Sequence, residues 1–172
     1  MQSKAAHHQQ SKSSDSETIF LNFDGLCEPK NPGGIATYGV VIRRGKVHLL
    51  EDNGLAFAKP WTYEASNNVA EYSALIKGLE WLKEHKMSEF EVVVRGDSSL
   101  VINQLKGAFK VKAARIRPLY VRAKELLDDF ESLKVEWVDR SQNKEADLLS
   151  RIAYARAKRE YPSTRYRVIK AS

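Results

Sequence analysis

The sequence predicts an α/β domain, a sheet covered by helices with an antiparallel hairpin at one side. Three observations predict it. Short alternating or apolar runs, the mark of strands, come first and then interleave with stretches of helical period. The second and third runs are separated only by Arg44-Gly45-Lys46, so they pair as a hairpin. Acids stand at the C-terminal ends of two predicted strands, where ligand sites of α/β sheets collect.

The chain of 172 residues fits one domain with enough length to bury a core. Its hydrophobic content of 42% and charged content of 29% are those of an ordinary globular protein. The net charge of +6 points to a polyanionic partner. Cys27 is the single cysteine, which excludes an internal disulfide and a cysteine metal cluster. No apolar run is long enough to span a membrane and no signal-peptide pattern opens the chain, so a cytoplasmic protein is expected.

Residues Met1–Ser16 are polar and without period, and are read as a disordered tail; His7-His8 within it is a solvated pair. The domain proper is expected over residues 17–160. Ile19–Asp24 alternates as a strand that ends on an acid. Gly25 follows, and Asn31-Pro32-Gly33-Gly34 is a second turn signal. Ala36–Arg43 and Val47–Ala58 are the hairpin strands. Ser66–Lys86 is a helix, with Ser66 or Asn67 as its N-cap and Val69, Tyr72, Ile76 and Leu79 on its apolar stripe. Glu71 shares a face with Leu75 and Leu79, which places it at the edge of the buried side. Phe90–Arg95 is a buried strand followed by Gly96-Asp97-Ser98, and Ser99–Leu105 is a short helix. Arg115–Phe130 is a third helix, Lys134–Val138 a last strand, and Asn143–Arg159 a final helix with Ala146, Leu149 and Ala153 inward. Residues 161–172 form a basic tail in which Arg165–Ile169 alternates weakly as an extra strand.

Four acids occupy matching places. Asp24 and Asp97 stand at ends of predicted strands, and Glu71 and Asp147 near the starts of predicted helices. Carboxylate oxygens suit hard cations such as Mg²⁺ and Mn²⁺. Four clustered acids would repel one another without a cation. A pair of such ions activates water and stabilises the leaving oxygen in phosphodiester cleavage.

The words around the acids, FDGLCEPKNPGG, SNNVAEYSALIKGL, RGDSSLVINQLKG and WVDRSQNKEADLLSR, resemble type 1 ribonuclease H in its archaeal-type form, over about Thr18–Ala155. The resemblance implies a ribonuclease H-like fold, a mixed five-stranded sheet flanked by helices. It implies an endonuclease that cuts the RNA strand of RNA/DNA hybrids with two Mg²⁺ ions, Mn²⁺ substituting, and leaves 5′-phosphate and 3′-hydroxyl ends. Carried over word by word, Asp24, Glu71, Asp97 and Asp147 become metal-binding acids, with Asp24 shared between the ions. Gly25, Cys27, Asn31, Asn67 and Asn68 become contacts to the minor groove, where 2′-hydroxyls tell RNA from DNA. Ser98, Asn143, Lys110 and Lys112 complete the expected substrate contacts. A monomer is expected.

The chain departs from the family pattern in three places. Asp97-Ser98-Ser99 stands where the family often has Asp-Ser-Gln. The segment Gly107–Pro118 is short where some members carry a long basic protrusion, though Lys110, Lys112, Arg115 and Arg117 keep it basic. The loop before Asp147 has no histidine and offers Arg140, which is expected to contact phosphate or to pair with Asp139 or Glu145. Alternative readings are an inactive binding module of the same fold, a DNA-directed nuclease on the same superfold, and a small-molecule enzyme using Mg²⁺. The intact acids oppose the first and the three asparagines the second. The basic charge and the lack of a nucleotide-cradling glycine loop oppose the third.

Overall fold

The computed structural model describes residues 17–163. Five strands, β1 (Ile19–Glu28), β2 (Ile35–Arg44), β3 (Val47–Leu55), β4 (Glu91–Gly96) and β5 (Ser132–Trp137), form one sheet in the order β3-β2-β1-β4-β5. The first three are antiparallel neighbours, whereas β4 and β5 run parallel to β1. Four helices complete the domain: α1 (Asn67–Glu84), α2 (Ser99–Leu105), α3 (Arg117–Asp128) and α4 (Lys144–Glu160). This is the expected mixed sheet with flanking helices. The expected tail over 1–16 and the extra strand over Arg165–Ile169 lie outside the described residues.

The strand period sorts the two faces of the sheet. Ile19, Leu21 and Phe23 are fully buried in the core with Leu75 and Leu79 of α1. Asn22 and Asp24 point to the opposite face, where α4 packs on β2, β3 and β1. The inner residues of α4 are Ala146, Ser150, Ala153 and Ala157, all small, so the helix lies close to the sheet. At Gly39 of β2 the approach is closest, and a Cβ there would stand 2.2 Å from the Ala146 carbonyl oxygen.

One boundary differs in a way that matters. β1 does not end at Asp24 but continues to Glu28, paired with β2 throughout. What stops is the parallel pairing with β4, whose last partners are Asn22 and Arg95. Beyond that point β1 and β4 no longer pair, and Asp24 is the second residue past the last pair. Gly25 does not turn the chain. Its missing side chain admits α1, since a Cβ there would lie 2.2 Å from the Glu71 backbone nitrogen.

Candidate active site

Asp24 is 7% exposed, and Ser150 Oγ donates to its Oδ2 at 2.7 Å. Burial pushes its pKa up to about 6, against the Ser150 hydrogen bond and with help from the charges of Asp97 and Asp147. Glu71 is held by the docking of α1 at Gly25 and is buried, not at an edge. Its carboxyl is pushed well above the usual range by burial first and by Asp24 and Asp97 next. Asp97 follows the last residue of β4. Its backbone oxygen accepts from the Trp137 indole N–H at 3.1 Å, and its Oδ1 accepts weakly from Asn143 Nδ2 at 3.5 Å.

These three carboxylates come together, with an oxygen of each within 4.8 Å of the others. Glu71 Oε2 is buried and has no hydrogen-bond partner. A buried carboxylate oxygen with neither donor nor cation is costly, and here it sits beside two more carboxylates. All-oxygen donors in this arrangement fit Mg²⁺ or Mn²⁺.

Asp147 stands apart from the trio. Arg140 Nη2 donates to its Oδ1 and Arg151 Nε to its Oδ2, each at 3.0 Å. Partial burial would raise its pKa, but the hydrogen bonds and charges of these two arginines hold it below the usual carboxylate range. Arg140, in a 3-10 turn over Arg140–Gln142, therefore pairs with Asp147 itself, not with Asp139 or Glu145. Glu145 is taken by Arg43 and His48.

The expected substrate contacts divide. Ser66 is the N-cap of α1, accepting from Val69 N–H at 3.2 Å, which leaves Asn67 for another task. Asn67 Oδ1 accepts from Cys27 N–H at 2.7 Å, and Asn31 Oδ1 accepts from Asn67 N–H at 3.0 Å. Each side-chain oxygen is committed to backbone, which leaves the NH₂ donors of these exposed residues for other partners. Asn68 is half-exposed beside them. Lys110 and Lys112 are exposed, and neither enters an ion pair among the described residues. Their segment is moored near the start of α1 by Arg115, which stacks over Tyr63 at 4.5 Å.

Three of the expected contacts have structural roles in the fold. The Cys27 side chain is buried, with its thiol against the carbonyls of Lys30 and Ala65, because β1 continues inward past Gly25. Asn143 is 1% exposed; it accepts from Asn22 Nδ2 at 3.1 Å and donates to the Phe23 carbonyl at 2.9 Å, bracing β1 against the turn before α4. The Ser98 hydroxyl caps α2 by accepting from Val101 N–H at 3.3 Å. Sequence pattern does not mark Asn22, Trp137 or Ser150. The signal for Ser150 is a polar residue on an alanine-lined face, three positions after Asp147. A cleft of about 430 Å³ is lined by Phe20, Arg43, Arg95 and residues 141–146, Asn143 among them, and none of the four acids lines it.

The reverse transcriptase-like family matches residues 22–153, a stretch that contains all four acids. The chain belongs to the type 1 ribonuclease H family. It is similar to the N-terminal RNase H domain of a Mycobacterium tuberculosis protein, with a TM-score of 0.73 at 33% identity, covering 84% of this chain and 99% of that one. It is similar to RNase H1 of Halobacterium salinarum, with a TM-score of 0.70 at 31% identity over 81% of this chain and 98% of that one. LC11-RNase H1, solved in complex with an RNA/DNA hybrid, gives the same TM-score of 0.70 at 31% identity over 81% of this chain and 98% of that one. Among curated proteins, the ribonuclease HI of Halobacterium salinarum is 37% identical over 132 residues, 77% of this chain and 62% of that protein. The chain spans 31% of the length of the bifunctional Mycobacterium tuberculosis protein that it matches at 39% identity.

Proposed function

We propose that this ribonuclease H acts as a monomeric endonuclease that hydrolyses the RNA strand of RNA/DNA hybrids with divalent cations. The observation that carries this reading is the trio Asp24, Glu71 and Asp97, with an orphaned buried oxygen on Glu71. Those three residues, joined by Asp147, would hold two Mg²⁺ ions, with Mn²⁺ able to substitute. The chemistry such ions supply when bound is activation of a water and stabilisation of the leaving oxygen.

The chain's own groups do the rest. The NH₂ groups of Asn31 and Asn67, with Asn68 beside them, meet the minor groove and favour a strand that carries 2′-hydroxyls as acceptors. Lys110 and Lys112, both exposed, offer charge to backbone phosphates. Asn143 and Trp137 hold Asp97 in place through its side chain and its carbonyl. Arg140, two-thirds exposed, contacts a phosphate beside Asp147 and stays protonated, so it positions and does not accept a proton.

The test incubates the protein with labelled RNA/DNA, RNA/RNA and DNA/DNA duplexes and Mg²⁺. The expected result is cleavage of the hybrid's RNA strand, abolished by chelation, with 5′-phosphate and 3′-hydroxyl products. A 2′,3′-cyclic phosphate end would mean that the 2′-hydroxyl attacks, and would overturn the mechanism.

A further inference from the structure

The inner face of α4 is alanine except at Ser150, which is fully buried. Alanine is the better helix former, and a buried hydroxyl is costly unless it is bonded. Ser150 is placed with some constraint. Gly39 lets α4 seat directly on β2, where a Cβ would stand 2.6 Å from the Ser150 nitrogen. Thr37 Oγ1 donates to the Ser150 carbonyl at 2.9 Å, fixing the helix backbone at the same residue. Gly39 is also the register partner of Asp24, so this close packing brings Ser150 opposite the carboxylate. Ser150 Oγ then lies 2.7 Å from Asp24 Oδ2 and 2.8 Å from the Asp147 carbonyl oxygen. A hydroxyl has one proton to donate. An ionised Asp24 takes it, because charge-assisted hydrogen bonds are the stronger ones.

We propose that Ser150 is a positioning residue for the metal-binding acids: its hydroxyl orients the Asp24 carboxylate and ties it to the turn of α4 that carries Asp147. This rests on the metal-dependent reading above and deepens it. The first acid comes from β1 and the fourth from α4, the helix that covers that face of the sheet. The hydroxyl donates to Asp24 while the Ser150 backbone belongs to the same turn of α4 as Asp147, so removing it is felt as weaker metal binding and not as weaker binding of nucleic acid.

The experiment compares wild type with Ser150→Ala and Ser150→Cys. Ala and Cys both suit the site in size, and Cys nearly preserves volume with a weak donor. Mg²⁺ and Mn²⁺ binding is measured by calorimetry without substrate, and kcat and KM for a hybrid are measured across Mg²⁺ concentration. Ala and Cys should weaken metal binding about 10-fold or more, the usual size of an outer-sphere loss. They should raise the Mg²⁺ needed for half-maximal rate in parallel and leave KM for the hybrid unchanged. Wild-type metal affinity in Ala, or in Cys, would overturn the proposal, since a space-filling role predicts that Cys behaves as wild type. Wild-type protein that binds metal but cuts no duplex would defeat the proposed function instead, and the calorimetric comparison would still judge Ser150.

Discussion

At the scale of the residue, the site is a cluster of acids that the fold holds against their own repulsion. Asp24→Asn keeps the shape of the side chain and removes the charge. It should abolish Mg²⁺-dependent cleavage, with the far-ultraviolet spectrum unchanged; a folded Asn variant with substantial turnover would refute the metal role. Arg140 gives a second prediction. His48 and His85 are the histidines among the described residues; His48 pairs with Glu51 and Glu145, and His85 stacks on Trp81 at the end of α1. Replacing either by Ala should leave turnover nearly unchanged, whereas Arg140→Ala should lower it several-fold without unfolding. A His variant that loses activity beside an Arg140 variant that keeps it would reverse this assignment. The acids are legible in the sequence because each sits in a local word, next to a glycine, a capping serine or an apolar stripe. The roles of Asn143, Cys27 and Ser150 are not legible there, for one reason. They depend on which way a side chain points after helix and sheet have met, and no local pattern carries that.

At the scale of the element, the order of strands and helices follows from hydrophobic period, and every expected element within residues 17–163 is present. What period does not carry is that β1 runs on past Asp24 while its parallel partner β4 stops, since a strand's end depends on its neighbours as much as on its own residues. That mismatch of strand ends falls at Asp24, just past the last β1–β4 pair. The segment between α2 and α3 is the element with the plainest charge. Lys110 and Lys112 are exposed there and sit near the start of α1 through the Arg115–Tyr63 stack. Hybrid binding should weaken steeply with salt, because phosphates neutralised by the protein release their counterions. The Lys110→Ala/Lys112→Ala double variant should reduce the slope of log affinity against log salt by about one unit for each phosphate it no longer neutralises. Titrations at several ionic strengths decide this, and an unchanged slope would make the segment a solvated face.

At the scale of the whole molecule, the acid cluster links folding to pH and, on the proposed reading, to metal. In the metal-free protein burial raises Asp24 to about 6, against its ordinary 3.8, and Glu71 shifts in the same direction. For such groups the native state holds protons that the unfolded chain has released. Stability is therefore fully present below the unfolded value near 4 and is lost as pH rises to about 6. For Asp24 the shift corresponds to roughly 3 kcal/mol, several degrees in Tm for a domain of this size. Asp147 works the other way, since its lowered pKa adds stability above the ordinary carboxylate range and loses it as pH falls. Comparing wild type with Asp24→Asn reads the Asp24 effect together with the relief of Glu71, with Asp147 present in both. In chelator, the Asn variant should match wild type in Tm near pH 4, gain on it as pH rises, and hold a constant advantage above about pH 6. On the proposed reading Mg²⁺ would bind the ionised acids of the folded state, so it should raise the Tm of wild type most above pH 6 and little near pH 4. The Asn variant should show a much smaller Mg²⁺ shift at every pH. A Tm difference that ignores pH, or an equal Mg²⁺ shift in both proteins, would mean that Asp24 is neither destabilised by burial nor part of the metal site.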